Sequence, residues 1–293
     1  MYCDLHTHST ASDGTTAPSD LAALAATCSL GAIALTDHDT TDGLDLCAEA
    51  CRTAHVRFVP GIEISADPGP PPGADPDSPV RRGTLHILGL FVRGDDPHLG
   101  AVQQRMRAAR DCRNPAIIDK LVELGVTIEY EEVLELARIE GTAILGRPHI
   151  AQVLVRKGYV KSVQDAFHRY LGQGAAAYVR RDRLPAAEAI EAVHHAGGLA
   201  VLAHPVQLGC RDEQQLTHAV RRLTDLGLDG VETRHSDHTR ADTLRFEDLA
   251  SRFDLLTSGG SDFHGSRKPV ELGSQKVPFE VYERLAEEAT RRR

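Results

Sequence analysis

Several things are missing from this 293-residue chain, and each absence narrows what it does. No apolar run approaches the roughly 18 residues that a membrane helix needs, so no membrane partner is expected. The N-terminus has no basic segment followed by an apolar one, which makes a cytoplasmic location the expectation. Basic residues are in deficit: 33 Lys and Arg against 42 Asp and Glu give a formal charge of −9. That balance argues against a groove for duplex nucleic acid, although bound cations invert the local field where they sit. The cysteines, at positions 3, 28, 47, 51, 112 and 210, are scattered. Cys47 and Cys51 stand one helical turn apart, but no second pair completes a zinc-knuckle spacing, and the six are read as buried thiols. Internal repeats are absent too.

What is present is an alternation of short apolar runs and amphipathic segments. Strands are expected at 2–6, 32–36, 56–64, 84–91, 199–203, 230–233 and 255–258. Helices are expected at 44–54, 186–196, 213–226 and 240–253, with another opening at Pro18-Ser19-Asp20 as an N-cap. This order points to an α/β fold with a parallel sheet, open or closed into a barrel. Two stretches break it. The proline-rich stretch at 67–83 cannot pair in a ladder and reads as an exposed loop. Residues from about 97 to 174 are helical in pattern throughout, too long for one crossover, and read as a helical insertion.

The unusual polar residues fall at strand ends. His6 and His8 close the first strand, and the two-residue period turns both side chains the same way. Asp37 and His38 follow the second strand, Glu63 ends the third, His86 sits on the fourth, His204 closes the fifth, and Asp262 and His264 follow the last. In parallel α/β folds the carboxyl edge is where active sites are built. Taken singly, each residue has a plain structural role open to it; Asp37, for instance, suits a helix cap. A coincidence at six strand ends is much harder to accept. Imidazoles mixed with carboxylates suit Mn²⁺, Zn²⁺ or Fe²⁺ rather than calcium. There are more candidates than the roughly four to six ligands of one ion, so two or three ions are expected, with Mn²⁺ first and Zn²⁺ or Fe²⁺ as alternatives. Glu63 is the carboxylate expected to bridge a pair.

The segments HTHSTASDG, TDHDT, GIEIS, LAHP and GSDFHG together resemble the PHP (polymerase and histidinol phosphatase) superfamily. The likeness is closer to its bacterial 3′,5′-nucleotide bisphosphate phosphatases and 5′→3′ exoribonucleases of the RNase AM type, which VLVRKGYVKSVQDAFHRYLGQG also resembles. It covers nearly the whole chain. The resemblance implies a distorted seven-stranded (β/α)7 TIM-like barrel, formed by residues 1–96 and 175–293, with residues 97–174 inserted over the active-site mouth. It also implies a trinuclear centre. His6, His8, Glu63 and Asp262 would hold the first ion, Asp13, His38 and His264 the second, and Glu63, His86 and His204 the third. Asp37, beside a ligand, would orient an imidazole. The chain departs from the subfamily after YLGQG, where Ala175-Ala176-Ala177-Tyr178 replaces the usual Lys-Pro or Lys-Thr; Arg180 and Arg181 are the candidate substitutes.

These residues predict hydrolysis of a phosphate ester, because a strong Lewis acid lowers the pKa of bound water from about 15.7 toward about 7. Three dications against Asp13, Glu63 and Asp262 leave the site net positive within an acidic chain. The expected substrate is a small phosphorylated molecule, a nucleoside 3′,5′-bisphosphate or short RNA cut from its 5′ end. Glu63, Asp13 and His204 are the candidate catalytic residues through the ions they hold, and His235 or His238 is the candidate acid for the leaving group. Arg147 and His149 in GRPHI are candidates for a second phosphate, since arginine pairs bidentately with its oxygens. Alternative readings are a histidinol-phosphate or other small-molecule phosphatase, C–N bond hydrolysis, and a non-catalytic scaffold. The oligomeric state is not legible in the sequence.

Overall fold

Strand and helix alternate in the computed structural model, which describes residues 1–69, 83–142, 144–181 and 183–292. The strands are β1 (Tyr2–Asp4), β2 (Leu30–Leu35), β3 (Arg57–Asp67), β4 (Leu85–Leu90), β5 (Leu184–Pro185), β6 (Leu199–Leu202), β7 (Gly230–Arg234), β8 (Leu256–Gly259) and β9 (Val277–Pro278). The helices are α1 (Pro18–Thr27), α2 (Leu44–Ala54), α3 (Pro97–Glu123), α4 (Tyr130–Glu140), α5 (Arg147–Arg156), α6 (Val163–Ala166), α7 (Ala186–His195), α8 (Glu213–Asp225), α9 (Arg240–Arg252) and α10 (Phe279–Arg291), with a π-helical turn at Phe167–Leu171. Pro18 occupies the first turn of α1 and the N-cap is Ala17, without a side-chain cap. Most of the proline-rich stretch, residues 70–82, lies outside the described residues. No helix among the described residues is long and apolar enough to cross a membrane.

The strands form one sheet in the order β8-β7-β6-β4-β3-β2-β1-β9, with β5 pairing β3. Beyond the ends of β1 and β8 the backbone closes on itself. Leu5 N donates to Gly259 O at 3.0 Å, Asp262 N to His6 O at 2.9 Å and His8 N to Phe263 O at 2.9 Å. The sheet is therefore a nearly closed barrel. Among the described residues it carries nine strands rather than the seven expected, because β5 and β9 are two residues each and too short to leave a periodic pattern.

The sheet is also mixed, which corrects the parallel expectation. β4 runs antiparallel to both β3 and β6, and β9 antiparallel to β1. A parallel pair needs a crossover, usually a helix. The sequence between β3 and β4 is the proline-rich stretch, with no helical pattern, so an antiparallel return is the consistent solution.

Apolar residues alternate along the strands. On β2, Ile33 and Leu35 join the core beneath the surrounding helices, which also holds Leu21, Val193 and Phe246, while Ala32 and Ala34 join a second cluster with Val59, Leu88, Val201 and Leu285. The helical segment has a core of its own, built on Ile117, Leu121, Val133, Leu136, Ile150 and Leu154.

The seam between β1 and β8 is tight. A Cβ on Gly260 would lie 2.4 Å from both the backbone nitrogen and the Cβ of His6. Gly260→Ala should lower folding stability by about 1–3 kcal/mol through overpacking, read as a lower urea midpoint with an unchanged slope.

Candidate metal centre

His6 and His8 leave β1 on the same side because Thr7 between them turns the other way, donating its hydroxyl to Ala34 O at 2.6 Å. His6 Nδ1 lies 3.2 and 3.3 Å from the two carboxylate oxygens of Glu232, which turns its Nε2 toward Glu63 and Asp262. That Nε2 is 3.5 Å from Glu63 Oε2 and 3.5 Å from Asp262 Oδ1; His8 Nε2 is 3.3 and 3.1 Å from the same two atoms. Four donors held about 2.1 Å from a common ion stand about 3.4 Å apart. His6 Nε2, His8 Nε2 and Glu63 Oε2 are buried and have no hydrogen-bond partner. The donor set therefore fits a divalent ion.

Glu63 divides its oxygens. Oε2 faces His6, His8 and, at 2.9 Å, His38 Nδ1, whereas Oε1 lies 2.6 Å from His86 Nδ1 and 2.9 Å from His204 Nε2. Those two imidazole nitrogens are 3.2 Å from one another. A third grouping gathers His8, Asp13, His38 and His264, whose ligand atoms all lie within 4.8 Å of one another. All nine ligand candidates are thus brought together. His204 and Asp262 hold left-handed φ values of 28° and 58°, strain of the kind that concentrates at functional sites.

His86 reaches the cluster by a route the sequence reading misjudged. It is the second residue of β4, near that strand's amino end, and pairs with Ser65. Only the antiparallel run of β4 brings it to the common edge. Asp37, expected to orient an imidazole, instead accepts from Ser9 N at 2.8 Å and from the hydroxyls of Ser9 and Ser12 at 2.5 Å, pinning the turn between His8 and Asp13.

Burial disfavours charge on every group here, and the neighbours outweigh it for most. His38, His86 and His6 hold the Glu63 carboxyl well below its ordinary value. Burial would lower His8, but Asp262 and Glu63 lift it to about 9. For His86 and His264 burial prevails, and both fall to about 4.

The cluster floors a cavity of about 350 Å³ whose wall carries Arg110, Arg113, Arg147, Arg181, Arg183 and Arg267, with Lys268 at the rim of the cluster beside Asp262. Arg147 and Arg181 are thus where a substrate-binding role requires. The other expected residues are not among those lining it. His149 is buried and its Nδ1 accepts from Gly146 N at 3.0 Å, fastening the first turn of α5. Arg180 is exposed, 3.7 Å from Asp67. His238 lies behind the cluster, with Nδ1 3.1 Å from Thr233 O and its ring against Phe246, which removes it as the candidate acid.

Sequence reasoning missed Glu232, Asp39, Arg110, Arg113, Arg183, Arg267 and Lys268, and it named His235 only as a candidate acid, not as a member of the cluster. Glu232 and His235 were legible in principle: they fall on or just past β7, the expected strand to which no ligand was assigned. His235 Nε2 lies 3.3 Å from Asp262 Oδ2. Asp39 accepts from Ser65 N at 2.8 Å and Arg181 Nη1 at 3.2 Å and also pairs with Arg110. The partners of Asp39 come from distant parts of the chain, and no local pattern announces them.

The PHP domain family matches residues 4–172. The chain belongs to the PHP family. Among its relatives, a 5′-3′ exoribonuclease of Haemophilus influenzae is 36% identical over 274 residues, 92% of each chain. A phosphoribosyl 1,2-cyclic phosphate 1,2-diphosphodiesterase of Eggerthella lenta is 36% identical over 280 residues, 95% of this chain and 100% of that one. A 3′,5′-nucleoside bisphosphate phosphatase of Chromobacterium violaceum is 30% identical over 269 residues, 89% and 86% of the two chains. The crystal structure of a protein described as a metal-dependent phosphoesterase, from Bifidobacterium adolescentis, superposes with a TM-score of 0.83 at 31% identity, covering 97% of this PHP chain and 94% of the other.

Two outcomes follow for this PHP chain. Glu63→Gln should lower the bound manganese per chain, measured by elemental analysis, while far-UV circular dichroism stays that of the wild type; unchanged stoichiometry would refute the bridging role. Because His8 carries a proton below about pH 9 without metal, loading should release protons and weaken as pH falls. Calorimetry of Mn²⁺ binding in buffers of different ionisation enthalpy checks this, and a buffer-independent heat would count against it.

Proposed function

We propose that the chain is a metal-dependent phosphoesterase that removes the 3′-phosphate of nucleoside 3′,5′-bisphosphates, or 5′ nucleotides from short RNA. The observation that carries this reading is the sharing of one cavity by the His/Asp/Glu cluster and six arginines, in a chain whose formal charge is −9. Relatives named for both activities, 36% and 30% identical to this chain, support it.

His6, His8, Asp13, His38, Glu63, His86, His204, Asp262 and His264 would hold two or three divalent ions, Mn²⁺ before Zn²⁺ or Fe²⁺. Such ions supply Lewis acidity toward a phosphoryl oxygen and a lowered pKa for bound water. Glu63 faces one imidazole set with each oxygen and so would be the carboxylate shared between two ions. Glu232 holds the His6 ring with its Nε2 turned to the cluster. Lys268, drawn to Asp262, adds positive charge beside it.

The second phosphate falls to the arginines. Asp39 pairs with Arg110 and Arg181, whereas among the described residues Arg113 bonds the neutral Asn114 side chain, at 2.9 and 3.3 Å, and Arg147 donates to Leu171 O at 2.9 Å. Burial, and then the guanidiniums of Arg147, Arg110 and Arg181, lower the proton affinity of Arg113. A dianion placed among them relieves that repulsion and orients the ester over the cluster. Residues 97–174 then act as the insertion that roofs the barrel formed by 1–96 and 175–293.

Arg147→Ala should raise KM for adenosine 3′,5′-bisphosphate by roughly tenfold, the worth of a charge-assisted hydrogen bond, and raise it much less for adenosine 3′-monophosphate. Steady-state phosphate release with Mn²⁺ measures both. Equal effects on the two substrates would show that Arg147 does not bind the second phosphate, and no turnover of either by the metal-loaded wild type would sink the reading.

A further inference from the structure

One end of the cavity is unlike the rest. Val163, Phe167, Tyr178 and Val179 line it, all from the helical segment and the connection that follows. Phe167 begins the π-helical turn, closed by Gly172 N donating to Phe167 O at 2.7 Å. A Cβ on Gly172 would lie 2.6 Å from that oxygen, so the turn depends on glycine there. The widened turn leaves Leu171 O free of the helical ladder to accept from Arg147 Nη1 at 2.9 Å. It also sets the Phe167 ring against the Arg147 guanidinium, 5.4 Å from the ring centroid. π-Helical turns are rare and are frequent at functional sites.

These positions present two kinds of surface side by side. Arg147, stacked on Phe167, directs donors at an anion, while the partly exposed aromatic and aliphatic side chains offer a flat apolar wall. Phosphate cannot cover that wall, and water covers it poorly. A planar ring attached to the phosphorylated sugar covers it well, since aromatic side chains stack on any base. Resting on the function proposed above, we propose that Phe167, with Tyr178, is the seat of the substrate's nucleobase. The preferred substrate class is then a nucleotide rather than a bare sugar phosphate, and Phe167 is a specificity-determining residue.

Adenosine 5′-monophosphate carries the base where ribose 5-phosphate carries its anomeric hydroxyl, so their affinities for the full-length Mn²⁺-loaded protein report this contact. Calorimetry should give the nucleotide roughly tenfold tighter binding, the worth of stacking one base. In Phe167→Ala and in the better-filling Phe167→Leu that ratio should fall toward one, and Phe167→Tyr should restore it. A ratio near one in the wild type, or an unchanged ratio in both non-aromatic variants, overturns the proposal. Phosphate release from adenosine 3′,5′-bisphosphate is scored separately: its absence would refute the enzymatic reading while the binding ratio still judged the base seat.

Discussion

Five imidazoles lie within 2.6–3.5 Å of the single buried carboxylate of Glu63. Burying a carboxylate costs several kcal/mol unless opposite charge and hydrogen bonds offset it. Here the opposite charge comes either from protons on His6 and His8 or from divalent ions that displace them. The same residue thus links protonation, ion binding and the integrity of the barrel rim. Around it the chain has arranged fixed orientation rather than more charge: Glu232 turns the His6 ring, Asp37 secures the turn that ends at Asp13, and the β1–β8 seam sets the spacing of His6, His8 and Asp262.

The second constraint is electrostatic and runs against the composition. An acidic chain collects six arginines on one cavity wall, and the described contacts of Arg113 and Arg147 are to neutral groups. Like charges held together in a partly buried wall are unfavourable without an anion. The arrangement is tolerated because the helical segment carries its own apolar core and Asp39 ties Arg110 and Arg181 to the barrel beside His38. Stability is sited away from the cavity, and the cavity is left to recognition.

Helix and strand periodicity made much of this readable in advance. The nine ligand candidates were visible because metal chemistry needs scarce residue types, and a strand's two-residue period fixes which way they point. Local signals failed where the deciding contact was distant. Arg110 and Asp39 are separated by the whole of β3, β4 and the start of α3; His149 reads as a phosphate ligand in GRPHI but folds inward to its own helix start; His238 is turned to Phe246 rather than to the cavity. Strands β5 and β9, two residues each, carry no pattern at all.

The amino-acid order by itself determined that most of the His, Asp and Glu candidates would meet at one rim, because they follow short apolar runs whose geometry leaves little freedom. It also determined that helices would recur between residues 97 and 174, where four α-helices and a π-helical turn stand among the described residues. Tertiary structure alone decided the direction of β4, and with it whether His86 joined the cluster or pointed away. It likewise decided which arginines face the cavity. Side-chain direction within an element is a local property, but the sense of a strand in its sheet and the company a buried charge keeps are set only when distant segments pack.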